Sequence, residues 1–313
     1  MDTSSIQAEL ASLKATVAAL QKQNNELQAH IDALESDQID PSCPPGYLKS
    51  PKPAAAFLPA SVVCARGVDE VVKVDVGRAA FWIDRYEATI WDALDGSGAQ
   101  HFGGGVDDST IDFPKNGYAS TPLFALSVPG TYPAASVTWF QAAAACAASG
   151  KGLPTNYHWQ RAVAGTTDSG TVAGNAADEH RCNTQSATAR VTGGGIGDTS
   201  ETSCVSRWGA EDMIGNLSEW VQEWDTAVGD TGAEVAGKQM WPDDPTHPYG
   251  EDGTWNIASK VFTETSGVVS NLPAAVARGG TFLGGVRAGA FSYGVNNPPS
   301  GHYSTFGFRC IVR

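Results

Sequence analysis

Cysteine is the residue best placed to do chemistry in this chain, and it occurs at positions 43, 64, 146, 182, 204 and 310. No two cysteines have the Cys-x-x-Cys spacing of zinc sites, so oxidation to disulfides is the chemistry they predict. Cys43–Cys64 and Cys182–Cys204 are natural local pairs, which leaves Cys146 for Cys310. Three disulfides imply an oxidising, extracytoplasmic setting, although the N-terminus lacks the basic-then-apolar layout of a secretion signal. The histidines, His30, His101, His158, His180, His247 and His302, include no pair at i, i+4. Asp107/Asp108 and Asp243/Asp244 are adjacent carboxylates in loops, where solvation is their ordinary state. There is no Gly-x-Ser-x-Gly elbow, and Gly193–Gly197 lacks the strand and helix that a nucleotide loop needs, so it reads as plain loop.

A second kind of chemistry, recognition, is written between Arg278-Gly279-Gly280 and Gly307-Phe308-Arg309-Cys310. The interior from Thr281 to Phe306 contains no Lys, Glu, Asp, Gln, Met or Trp. It is built from Gly, Ser, Asn, Tyr and Phe, the types that give antibody loops rigid amphipathic contact and adaptable hydrogen bonding. The candidate contact residues are Phe282, Leu283, Val286, Arg287, Phe291, Tyr293, Asn296, His302, Tyr303 and Phe306. Phe291 and Phe306 are the members most suited to a core.

Such a surface needs a scaffold, and 313 residues with nine Trp and eleven Phe are ample for one. The formal net charge of −14 excludes nucleic acid and anionic membranes as partners. No apolar run is long enough to span a bilayer, so no membrane insertion is expected. Residues 4–37 predict a coiled-coil helix. Ile6, Leu10, Leu13, Val17, Leu20, Asn24, Leu27, Ile31 and Leu34 alternate at intervals of four and three, the seam of an intermolecular rod. A single Asn in that seam favours a parallel pairing, a dimer by the choice of Leu and β-branched residues, with a trimer also compatible. Residues 38–66 are Pro-rich and predict a neck closed by Cys43–Cys64, and residues 67–313 form the head.

In the head, Phe81–Glu87 is strand-like. Ser136–Ser149 predicts a helix with a Ser cap and Gly150 after it, and Thr155 caps a second helix over Asn156–Ala164. The stretch between Gly165 and Trp208 reads as loop held by Cys182 and Cys204.

Taken in order, Phe81–Glu87, Pro133–Trp139, Gly150-Lys-Gly-Leu-Pro-Thr155 with Trp159, Asp212-Met-Ile-Gly-Asn-Leu-Ser-Glu-Trp220, Arg278-Gly-Gly280 and Gly307-Phe-Arg-Cys310 resemble the formylglycine-generating-enzyme (sulfatase-modifying factor) domain over residues 67–313. The resemblance implies an α+β, C-type-lectin-like fold, loop-rich, with a small twisted sheet and two helices. It also implies Cys146 paired with Cys310, and a structural Ca²⁺ held by the carboxylates of Asp212 and Glu219 and the carbonyls of Gly215 and Leu217, hard oxygen donors suited to that ion.

Catalytic members of the family hold copper with two cysteines soon after the Arg-Gly-Gly motif, and soft thiolates suit Cu(I). Here Thr281–Gly289 contains no Cys, so neither copper nor formylglycine chemistry is expected. The C-terminal block also resembles the variable region of retroelement-diversified proteins, which use the same lectin-like fold. Those systems change adenines in codons ending in a pyrimidine, and every residue from Thr281 to Phe306 can be so encoded. The expected function is non-catalytic binding of a protein or glycan at a cell or virion surface, with avidity from the rod. The alternatives are an enzyme of the same superfamily with altered chemistry and a structural surface or tail protein.

Overall fold

The computed structural model describes residues 13–14, 16–17, 20–22, 24, 43–55, 58–77, 80–104, 111–166, 182–193, 204–226 and 273–312. The chain divides into two compact units, Met1–Lys49 and Ser50–Arg313. In the first, the described residues between Leu13 and Asn24 are helical, and Leu13, Val17 and Leu20 of the predicted seam are exposed on the single chain. The other seam residues lie outside the described set. Among the described residues no helix is long and apolar enough to cross a membrane.

The second unit starts earlier than the sequence suggested. Val63–Arg66 (β1) is no part of a separate neck: Val63 and Cys64 are buried, and the strand pairs antiparallel with Asp69–Asp75 (β2). Val71, Val72 and Val74 keep β2 in the core, with Val71 and Val72 burying both faces. Ala80–Asp84 (β3) pairs with β2. Thr89–Trp91 (β4), Gln100–His101 (β5) and Phe124–Leu126 (β6) make a small sheet in the order β5-β4-β6.

Trp139–Ala148 (α1) is capped by Thr138, whose hydroxyl accepts from Gln141 N–H while the Gln141 side chain accepts from the Thr138 N–H. The expected cap, Ser136, instead takes a left-handed conformation, φ 58°, and its N–H donates to Tyr303 O. Lys151–Gly152 (β7) follows, then Asn156–Ala162 (α2), which Thr155 caps through His158.

The remaining strands are Ser218–Thr226 (β8), Pro273–Arg278 (β9), Tyr293–Asn297 (β10), Phe306–Phe308 (β11) and Ile311–Val312 (β12). One sheet runs β10-β9-β8-β11, with β11 parallel to β8. In the other, β12 lies between β3 and β7, antiparallel to both. The C-terminus thus leaves one sheet and enters the other within two residues, Arg309 and Cys310. Cys310 is bonded to Cys146 of α1, Cα–Cα 5.8 Å, and Cys182 to Cys204, Cα–Cα 4.6 Å. Cys43 and Cys64 are each oxidised to a disulfide as well.

Among the described residues, two large apolar clusters fill the head. One gathers Val72, Ile83, Trp159, Ile214, Val221 and Val276; the other gathers Ile90, Val137, Ala145, Trp220 and Phe308 beneath α1. Across the first sheet, Lys151 Nζ is buried between Asp69 Oδ1 (2.6 Å) and Asp84 Oδ1 (2.7 Å). A lysine at such a position is tolerable only because two carboxylates meet it.

Candidate ligand-binding surface

The base of the C-terminal segment is fixed by residues of the Asp212–Trp220 motif. Asn216 is held in the left-handed region, φ 51°. Its N–H donates to Asn183 O (2.7 Å), and its O accepts from Phe282 N–H (2.8 Å). Its Oδ1 accepts from Arg190 N–H (2.8 Å) and Asn183 Nδ2 (3.0 Å), and its Nδ2 donates to Glu87. One side chain therefore joins the strand-end Glu87, the disulfide-held loop and the start of the C-terminal segment. Gly215 before it must be glycine: φ is 76°, and a Cβ would lie 2.4 Å from Asn183 O.

The segment then turns back on itself. Gly280, φ 81°, lies so close to Ala288 that a Cβ would meet its Cα at 2.5 Å. Gly285 N–H donates to Thr184 O (2.7 Å), Ser186 N–H to Phe282 O (2.9 Å) and Gly289 N–H to Gly279 O (3.1 Å). Arg278 closes the far side. Its guanidinium is buried against the Trp159 ring (4.4 Å) and donates to Ser292 O, Ala290 O, Gln160 Oε1 and Asn156 Oδ1. The second half of the segment is seated on α1: Trp139 N–H donates to Pro299 O (3.0 Å), and Lys115 Nζ lies 2.7 Å from His302 Nε2.

This geometry sorts the candidate residues. Leu283 (65 % exposed), Arg287 and Tyr303 (38 %) point to solvent. His302 is half-buried beside Lys115. Phe291 is also half-buried, as is Tyr293, whose hydroxyl lies 3.3 Å from Asp225 Oδ2. Phe306 packs on Trp220, centroids 4.8 Å apart. Phe282 is a correction: it is 7 % exposed, packed with Ala135 and Leu217, and serves the core. Val286 lies in the turn Gly285–Arg287 and Asn296 in β10, but their side chains are outside the described set. The sequence offered Ser136 only as a helix cap and did not single out Lys115, Thr184, Ser186 or Arg190, which border the same face. Only the Cys182–Cys204 pair hinted at the last three.

Beneath this face lies a cluster of carboxylates around Arg309. Glu219 is fully buried and accepts from Arg309 Nε (2.8 Å to each oxygen), Arg309 Nη2 (2.6 Å) and Trp159 Nε1 (2.7 Å). These donors fill the lone-pair directions of a carboxylate, so Glu219 does not fit the calcium role implied for it. Asp212 fits better. It turns at φ 54°, and burial, opposed by Arg309 and reinforced by Glu219, pushes its carboxyl up to about 6. Among the described residues no group of three or more His, Cys, Asp or Glu is placed to hold a metal. A cation here would therefore rest on Asp212 with main-chain oxygens. Burial also raises Glu87 well above the carboxylate range, although Leu217 N–H (2.9 Å) and Asn216 donate to it.

Residues 61–313 match the sulfatase-modifying factor enzyme 1-like domain. The chain belongs to that family. With membership comes the C-type-lectin-like, α+β architecture already visible in the sheets and the two helices among the head's described residues. No curated protein matches the chain at a significant level. Among solved structures, the Major Tropism Determinant U1 variant is 20 % identical with a TM-score of 0.44, covering 85 % of this chain and 62 % of its own. The I1 variant is 21 % identical with a TM-score of 0.41, covering 74 % and 50 %. This member of the sulfatase-modifying factor family thus spans about half the length of the I1 structure.

The carboxylate cluster generates a pH prediction for the protein in chelator. Burial, with Asp212 adding to it against Arg85, raises Glu211 to about 8; burial raises Asp84 to about 6. A carboxyl whose folded pKa exceeds its unfolded value holds its proton more tightly when folded, so its contribution is full below about pH 4 and is lost as pH rises through the folded pKa. The melting temperature should fall from pH 4 to pH 8. Glu211→Gln should make the fall shallower, most visibly between pH 6 and pH 8, while the shares of Asp84, Asp212 and Glu87 remain; an unchanged profile contradicts the assignment.

Proposed function

We propose that this protein is a non-catalytic binding protein whose C-terminal segment, diversified by a retroelement, grips a partner at a cell or virion surface. The observation that carries this reading is the contrast within residues 281–306. Leu283, Arg287 and Tyr303 stand in solvent, while their backbone is tied at both ends to buried groups. Exposed positions on a fixed backbone can change type without cost to the fold, which is what a variable recognition surface requires. The family's oxygen chemistry needs a thiolate pair, and all six cysteines here are disulfide-bonded.

The helical Leu13, Val17 and Leu20, exposed on one chain, support self-association of residues 6–34 into a parallel dimer or trimer. Several copies of one weak site then act together. Calcium, in this reading, is held by Asp212 and the carbonyls of Gly215 and Leu217. Glu219 steadies that turn through Arg309 instead of binding the ion.

Four measurements test these statements. Replacing Leu283, Arg287 and Tyr303 together by Ser should leave stability within about 1 kcal/mol of the wild type, whereas Phe282→Ala should cost about 3 kcal/mol. A library randomised at the three exposed positions should yield folded binders to unrelated proteins; a library that fails to fold sinks the proposal. In sedimentation equilibrium the full chain should be a dimer or trimer, and Leu13→Glu/Leu20→Glu a monomer; a monomeric wild type refutes the rod. Calcium should raise the melting temperature over chelator in the wild type and not in Asp212→Asn, and an equal rise in both removes Asp212 as a ligand.

A further inference from the structure

Lys151 is a buried primary amine, and the binding surface makes no use of it. Its side chain is 1 % exposed, and the carboxylates it meets, Asp69 Oδ1 at 2.6 Å and Asp84 Oδ1 at 2.7 Å, are 0 % exposed. Three strands bring them together: Asp69 opens β2, Asp84 ends β3 and Lys151 opens β7. Between β3 and β7 runs β12, where Ile311 pairs with Ile83 on one side and Gly152 on the other. Lys151 therefore reaches Asp84 across the C-terminal strand. The junction lies beside the Cys146–Cys310 disulfide, since Asp84 N–H donates to Cys310 O (2.8 Å).

The two carboxylates are held differently. Asp69 Oδ1 also accepts from Ser127 N–H (2.8 Å), and its Oδ2 from Arg66 Nη2 (3.1 Å), so its environment favours an anion able to take a proton. Asp84 Oδ2 accepts from Cys310 N–H (2.8 Å). Burial, opposed by Lys151 and reinforced by Asp69, pushes the Asp84 carboxyl up to about 6. A carboxyl that keeps its proton is open to attack by an amine, whereas a carboxylate resists it. Burial works against the Lys151 ammonium, but the two carboxylates outweigh it and hold the proton on. The amine is therefore released only by handing that proton to a neighbour, and Asp69 Oδ1 is within reach.

We propose that Lys151 and Asp84 condense into an isopeptide bond, with Asp69 as the base, and so close a covalent clasp over the C-terminal strand. Asp69 Oδ1 takes one proton from the ammonium, which frees the nitrogen lone pair. Nζ attacks Cγ of the protonated Asp84 carboxyl, and Oδ2 takes the negative charge facing the Cys310 N–H. The Cγ–Oδ1 bond then breaks, and Oδ1 leaves as water with its own proton and a second proton from nitrogen. The third stays as the amide N–H, and Asp69 keeps the first. One Nζ–Cγ bond replaces one Cγ–Oδ1 bond, so no oxidant or reductant is needed. Burial favours the step twice: the groups are already held together, and the site excludes the water that would reverse it. Once closed, the amide resists the reductants that open Cys146–Cys310. Asp84 then no longer titrates, so its share of the melting profile above belongs to the unlinked chain.

The test is the mass of the full chain, kept native for several days at pH 6, then reduced and denatured. The wild type should be lighter than its sequence by one water, and a protease digest should contain a fragment joining Lys151 to Asp84. Lys151→Arg keeps the charge but not the nucleophile and should show the full mass. Asp69→Asn leaves the amine and the carboxyl in place and should slow the loss of water by about a hundredfold or more. A wild type at full mass overturns the proposal, and this reading does not depend on any variant folding. Loss of water without the joined fragment overturns it too, since a succinimide at Asp95-Gly96 would lose the same mass. A fragment joining Lys151 to Asp69, or Asp69→Asn linking as fast as the wild type, overturns the roles assigned to the two carboxylates. The binding surface is judged separately, by the randomised library, so the two readings can fail independently.

Discussion

The head depends on one buried ion pair, Arg309 with Glu219. Arg309 stands where the chain passes from β11 in one sheet to β12 in the other. While Nε and Nη2 engage Glu219 on β8, Nη1 donates to the carbonyls of Asp84 (3.0 Å) and Arg85 (3.3 Å), and Nη2 also to Glu211 O (2.7 Å). A guanidinium is the one side chain that can serve both sheets at once, since its donors point in fixed and different directions. Burying such a pair gains little over a well-packed apolar pair, whereas removing one partner costs about 3–5 kcal/mol. Its role is to fix how the two sheets meet.

From that junction the order passes outward. Glu219 anchors Trp159 of α2, Trp159 supports the Arg278 guanidinium, and Arg278 holds Ala290 and Ser292 of the C-terminal segment. On the other side Asn216, three residues before Glu219, fixes Phe282 and the disulfide-held loop. The segment is irregular between Arg278 and Tyr293, apart from one short turn, yet its polar backbone groups are answered by neighbours. Shape comes from its supports, while Leu283, Arg287 and Tyr303 stand exposed on them. This division of labour separates what must stay constant from what can vary.

Much of this was legible in the sequence, and the misses share a cause. Helix α2 and its Thr155 cap follow from local spacing, and the ordered motifs placed the family and its fold. Signals that depend on distant partners were not legible. The pairing of Glu219 with Arg309, 90 residues away, has no local signal. Phe282 was placed on the surface because an irregular loop has no periodicity to separate inside from outside. Thr138 displaced Ser136 as the helix cap because Ser136 is turned left-handed to meet Tyr303. The Pro-rich stretch hid the strand Val63–Arg66, whose β2 partner begins only three residues later.

The central claim is that a cross-tied scaffold presents one particular face to a partner. Hydrogen exchange of the full chain, free and saturated with a binding partner, tests it most directly. The account predicts new protection confined to residues 182–193, 281–288 and 298–304, with the amides of β8 and β9 slow in both states. Protection appearing elsewhere on the head, with these stretches unchanged, would contradict it.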